Sequence, residues 1–146
     1  MSVVRDKTVV FSDKKSKAEF IIKNDKQREI EKHKVDNCLI KGEAFKKCDW
    51  LAVVSEKDIP QKEIYIELKG KDVSYAVEQL TASIDKLTKD KKAKKLGYVI
   101  CTRSPLTSAE IQTKTKQVLH SHRLMLRVKT IRHTETLEKL IADLTD

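Results

Sequence analysis

Three glycines and two prolines in 146 residues leave little material for glycine-built machinery. A Walker loop, a dinucleotide-binding glycine pattern and a serine-centred elbow all need glycines where the backbone turns sharply or meets a phosphate, and none is present. Cysteine is scarce too. Cys38, Cys48 and Cys101 are odd in number and far apart, which argues against a zinc ribbon and against a disulfide framework. All three lie in apolar runs and are expected to be buried thiols, as suits a reducing cytoplasm. The N-terminus, Met1-Ser2-Val3-Val4-Arg5-Asp6-Lys7, lacks a signal-peptide core, and no apolar run approaches a membrane span, so a cytoplasmic chain without a membrane partner is expected. No internal repeat or linker-like stretch is visible.

Charge is abundant. Charged residues make up 36% of the chain, and 31 Lys+Arg against 22 Asp+Glu give a net charge of +9. Hydrophobic residues, at 39%, suffice for a core, and the length fits one domain over residues 1–146. A surplus of positive charge on a small domain points to a polyanionic partner, of which nucleic acid is the commonest.

The most informative stretch is Ile64-Tyr65-Ile66-Glu67-Leu68-Lys69-Gly70. Its period of two turns Ile64, Ile66 and Leu68 to a core and Tyr65, Glu67 and Lys69 to the other face. Glu and Lys are poor strand formers and costly to bury unpaired, so something is expected between them. A divalent cation with bound water suits the pair: the carboxylate ligates it, and the ammonium offsets negative charge. Acid-any-lysine also occurs at Asp13-Lys14-Lys15 and Asp90-Lys91-Lys92, but only the Glu67 copy lies in an alternating apolar run. The alternative is a half-exposed strand with both charges solvated.

Upstream lies Cys48-Asp49-Trp50-Leu51-Ala52-Val53-Val54, a second apolar run opened by an acid. If the two runs form an antiparallel hairpin with Val54 opposite Glu63, Asp49 arrives at the strand end that carries Glu67 and Lys69. A slip by one residue would turn it to the other face.

Elsewhere, Val9–Phe11, 18–22 and 35–40 read as strands, and Arg28–Lys34 as helix or exposed strand. Val73, Val77, Leu80, Ile84 and Leu87 recur at helical spacing behind Asp72 or Ser74 as N-cap, with Gln79 beside the stripe. Leu96–Cys101 reads as a strand buried on both faces. Thr107 to Glu110 has capping-box spacing and opens a helix with Ile111, Val118 and Leu119 inward. Leu124, Leu126 and Val128 mark a last strand, and Thr134 is a candidate cap for a C-terminal helix. A hairpin, a helix, a central strand, a helix and a strand make an α/β fold with a mixed sheet sandwiched by helices. The lysine-dense stretch from Lys86 to Lys95 is either a solvated helix end or a phosphate-contacting surface.

Together Asp49, the Glu67-Leu68-Lys69 triplet and Gln79 resemble the PD-(D/E)xK nuclease superfamily, over roughly Val35 to Cys101. The resemblance implies a restriction-endonuclease-like core in which Asp49 and Glu67 bind Mg²⁺, or Mn²⁺ in its place. Lys69 then positions or activates the attacking water, and Gln79 sits beside the site. It further implies phosphodiester hydrolysis on nucleic acid, DNA before RNA, by a homodimer if both strands of a duplex are cut. Lys71, Lys91, Lys92, Lys94, Lys95 and Arg103 are the candidate nucleic-acid contacts. Cys48 stands where many members carry proline. Many members also have a further helix glutamate, for which Glu19, Glu29, Glu31, Glu43 and, from a strand, Asp36 are candidates. Two other readings remain: a binding module that keeps the fold without cutting, and a subunit that docks through the C-terminal helix.

Overall fold

A computed structural model describes residues 1–14, 16–35, 46–56, 59–68, 72–102 and 107–145. Strands β1 (Ser2–Val4), β4 (Ile30–Lys34), β5 (Trp50–Glu56), β6 (Ile59–Glu67), β7 (Lys95–Cys101) and β8 (Leu124–Thr130) form one sheet, in the order β1-β4-β5-β6-β7-β8. β1 to β6 pair antiparallel, and β6-β7 and β7-β8 pair parallel. Helix α1 (Val73–Leu87) makes the β6-to-β7 crossover and α2 (Ser108–His122) the β7-to-β8 crossover. A second sheet, β2-β3-β9, pairs β2 (Thr8–Ser12) antiparallel and β9 (Arg132–Thr136) parallel to β3 (Glu19–Lys23). Helix α3 (Leu137–Leu144) follows β9. The architecture is mixed α/β, and no helix among the described residues is long and apolar enough to cross a membrane.

The larger sheet is buried on both faces. On one, Leu51, Val53, Tyr65, Val99 and Leu126 pack against Val73, Ala76, Val77, Leu80 and Ile84 of α1 and Val118 of α2. On the other, Ala52, Val54, Ile64, Ile66, Leu68 and Tyr98 pack against Phe11, Phe20 and Ile22 of the small sheet and Leu137, Leu140 and Leu144 of α3. Phe20 stacks on Tyr98 with ring centroids 4.4 Å apart, joining the two sheets. The apolar stripe of α3 is therefore spent inside the molecule.

Local chemistry explains most element ends. Asp72 caps α1 by accepting from the Tyr75 N–H at 3.0 Å. Thr107 and Glu110 close the expected capping box on α2. Only Val118 of that helix is buried, however; Leu119 is 42% exposed, contrary to the inward position expected from its spacing. Arg28–Lys34 resolves as strand from Ile30, although its residues are mostly charged. Its inward Lys32 lies between the rings of Phe11 and Trp50, 5.0 and 4.8 Å from their centroids, and burial lowers its pKa. Thr134 lies in β9, and Thr136 caps α3 instead. The chain leaves β8 for β9 through Ile131 at φ 60°, a left-handed conformation that a β-branched residue rarely adopts. Hydrogen bonds from its N–H to Cys101 and from the Glu19 N–H to its carbonyl, at 2.6 and 3.0 Å, hold it there.

Gly97 sits mid-β7, where an added methyl would lie 2.8 Å from Leu124 Cδ1 and 3.2 Å from Leu80 Cδ1. Both leucines are fully buried and have little room to turn away. Gly97→Ala is expected to lower stability by about 1–3 kcal/mol through overpacking, read from the midpoint of a urea unfolding curve.

Candidate functional site

The hairpin of β5 and β6 pairs Trp50 with Ile66 and Val53 with Glu63. Val54 thus faces Lys62, one residue from the pairing assumed on sequence grounds, and a bulge lies between Val54 and Glu56. Continued past Trp50, this register sets Asp49 opposite Glu67. The Asp49 N–H donates to the Ile66 carbonyl at 3.1 Å, and Asp49 Oδ2 accepts the Leu68 N–H at 2.7 Å. Asp49 therefore grips the residues on either side of Glu67. Its own carbonyl accepts the Val35 N–H at 2.9 Å, tying in the end of β4.

Both carboxylates are out of solvent: Asp49 is 7% exposed and Glu67 is fully buried. Alternation places Glu67 with Tyr65 and Glu63 on the side of the sheet that α1 covers. Cys48 reports the proximity of the two acids. Burial first, and the charges of Glu67 and Asp49 in addition, push its thiol up to about 12 against an opposing hydrogen bond from Ser83. Such a thiol is inert at neutral pH, so Cys48 is packing and not a nucleophile. Cys101 is likewise buried, and burial raises its pKa; Cys38 lies outside the described residues.

Helix α1 fastens this corner. Gln79 Nε2 donates to the Lys47 carbonyl at 3.0 Å, and the Cys48 N–H donates to Ser83 Oγ at 2.8 Å. The Ser83 hydroxyl in turn donates a hydrogen bond to the Gln79 backbone carbonyl at 2.9 Å. Gln79 thus lies beside the site as expected, and its amide donor anchors the segment that delivers Asp49. Ser83 was not foreseen. A Gln and a Ser four residues apart on the buried side of an otherwise apolar stripe was the available signal, since buried polar groups need partners.

Among the candidate extra acids, Glu19 pairs with Arg132, Glu29 with Arg5, and Glu31 with His33 and Ser55. None is brought to Asp49. Lys69, Lys71, Arg103, Asp36 and Glu43 lie outside the described residues. Among the described residues no group of three or more His, Cys, Asp or Glu side chains assembles for a metal ion. His122 Nε2 is engaged by Asp85 at 3.0 Å and its Nδ1 by Ser121 at 2.7 Å.

The lysine-dense stretch lies at the other end of α1. Lys91 and Lys92 are exposed and Lys94 half-buried. Lys95 is 1% exposed, its ammonium donating to the Ala93 carbonyl at 2.6 Å and the Lys91 carbonyl at 3.3 Å. Burial lowers its pKa, and it is in no position to contact a surface ligand.

Comparison with protein families, with characterised proteins and with solved structures found no match to this chain.

Ser83→Ala would leave the buried Cys48 N–H without its acceptor. A loss of about 1–3 kcal/mol in unfolding free energy is expected. Hydrogen exchange at the Cys48 amide, read by NMR, should quicken more than that at the Val99 amide.

Proposed function

We propose that the chain is a Mg²⁺-dependent nuclease of the restriction-endonuclease-like kind, hydrolysing phosphodiester bonds of nucleic acid, with DNA the first substrate to test. The observation that carries this reading is the convergence of Asp49 and Glu67, two buried acids from different strands, at one end of the β5–β6 hairpin. Two adjacent carboxylates taken out of water repel each other, and a cation held between them would relieve that repulsion. Support also comes from the order of elements: an antiparallel hairpin, a crossover helix, a parallel strand, and a second crossover to another parallel strand.

The donor set suits the ion. Mg²⁺ takes oxygen ligands, needs only one or two carboxylates and keeps several of its waters. Asp49 and Glu67 would hold it, and Asp49 Oδ2 has lone pairs left after accepting the Leu68 N–H. The bound ion would supply Lewis acidity and a water of lowered pKa. Lys69 is two residues beyond Glu67, and its ammonium suits the charge that develops on a phosphate under attack. Gln79 and Ser83 act at one remove, by fixing the 47–48 backbone.

A panel of single-stranded, double-stranded and branched DNA and of RNA, incubated with Mg²⁺, Mn²⁺ or EDTA, tests this directly. Metal-dependent cleavage is expected, reduced at least about 100-fold in Asp49→Asn, Glu67→Gln and Lys69→Ala with folding intact. Binding without cleavage, indifferent to all three substitutions, would replace the nuclease with a binding module. Because one active site cuts one strand at a time, duplex cleavage is expected from a homodimer. Sedimentation equilibrium at micromolar concentration should then give twice the chain mass.

A further inference from the structure

Between the start of β6 and the loop that follows α1 lies a groove of about 430 Å³. Its walls carry Lys62, Lys89, Lys92 and Lys94 against two acids, Glu63 and Asp90. The acids are directed into the loop itself. Glu63 is 8% exposed and accepts from the Thr88 hydroxyl at 2.8 Å, the Lys89 N–H at 3.1 Å and the Tyr65 hydroxyl at 3.1 Å. Asp90 Oδ1 accepts the Lys92 N–H at 2.9 Å. Buried Lys95 holds two carbonyls of the same loop, and Arg123 Nε donates to the Lys92 carbonyl at 3.3 Å.

Lysines that merely complement a helix dipole need none of this. That effect fades beyond the last turn, where Lys86 already sits, whereas Lys89, Lys92 and Lys94 lie past the helix end. Here two charged groups, Glu63 and Lys95, are withdrawn from solvent to fix the shape of a loop whose outward side chains are lysines. Fixing that backbone in advance lowers the entropy lost when the lysines engage a ligand.

We propose that this groove binds the phosphate backbone of nucleic acid, as a site separate from Asp49 and Glu67. The choice of ligand rests on the reading above, but the groove does not depend on catalysis. Glu67 closes β6 near the start of α1, and the groove opens near the end of that helix. Glu63 on the groove wall and Glu67 lie four residues apart on β6, about 13 Å at ~3.3 Å per residue, so the nearest parts of the two sites are about four phosphates apart along one strand of a duplex. The groove therefore contributes affinity and leaves the reacting phosphate to the other end. If the chain cleaves, losing these lysines raises KM and leaves kcat nearly unchanged.

The test is fluorescence anisotropy of a labelled DNA duplex, titrated with the full chain in EDTA over a series of salt concentrations. The Lys89→Ser/Lys92→Ser/Lys94→Ser variant is expected to bind at least about 10-fold more weakly, with a log-affinity against log-salt slope flatter by about 2 to 3. A control variant, Lys7→Ser/Lys14→Ser/Lys17→Ser, removes equal charge from outside the groove lining and is expected to lose less than about 3-fold. Equal losses in the two variants, or none in the first, would overturn the groove. Displacement of the duplex by poly-glutamate as effectively as by unlabelled DNA would assign it to an acidic protein partner instead. A chain that never cleaves but shows the expected loss keeps the groove and sinks only the catalytic reading.

Discussion

The pairing of Trp50 with Ile66 sets where two buried carboxylates stand, and much of the rest of the molecule serves to hold that register. A strand slip of one residue exchanges the faces of every side chain on it. Here it would drive Ile64, Ile66 and Leu68 out of the core they share with the small sheet. At roughly 1.5–3 kcal/mol for each buried aliphatic side chain, the core opposes that slip more strongly than any one polar contact could. Apolar packing on one face thus fixes polar geometry on the other. Asp49 then adds a local lock, bonding the residues on both sides of Glu67.

Helix α1 links the two charged regions and has a different task at each. At its middle and in its second half, Gln79 and Ser83 hold the backbone at Lys47 and Cys48, just ahead of Asp49. At its end, Thr88 and Lys89 are held by Glu63. Glu63, Tyr65 and Glu67 alternate along the β6 face beneath the helix. The central tyrosine is fully buried, and burial with the Glu63 charge pushes its phenol well above the usual range. One strand and one helix therefore present an acidic corner and a lysine-rich groove from the same rigid pair of elements.

Where hydrophobic periodicity was strong, the chain was legible. The β6 alternation, the α1 stripe bounded by Asp72, the apolar run Leu96–Cys101 of β7 and the α2 capping box all emerge from residue spacing. The hairpin was legible to within one residue, because a bulge between Val54 and Glu56 is invisible in apolar pattern alone. Strands whose partners are polar or aromatic were not. β4 faces the core with Ile30 and Lys32, and the lysine is accommodated by two rings that are distant in sequence. β9 has no apolar alternation because it completes the edge of a small sheet, where parallel pairing with β3 supplies the order. At the site, Asp49, Glu67 and Gln79 could be named from sequence, while Ser83 and Glu63 could not. Ser83 showed only as a polar break in the α1 stripe, and the partners of both residues, the Cys48 and Lys89 N–H groups, lie far along the chain.

The same blindness applies to Lys95, which composition counts with its neighbours as one more surface cation. A lysine is costly to bury, and a chain with 31 basic residues has many alternatives for a solvated one. Its ammonium satisfies the Lys91 and Ala93 carbonyls, and so turns a flexible run into a shaped wall. The net charge of +9 is thus not a uniform coat. Part of it is structural, shaping a loop that displays the rest, while the acids withdrawn at Asp49 and Glu67 lie toward the other end of β6. The lysines that line the groove and the buried carboxylates thus occupy separate parts of one strand–helix pair.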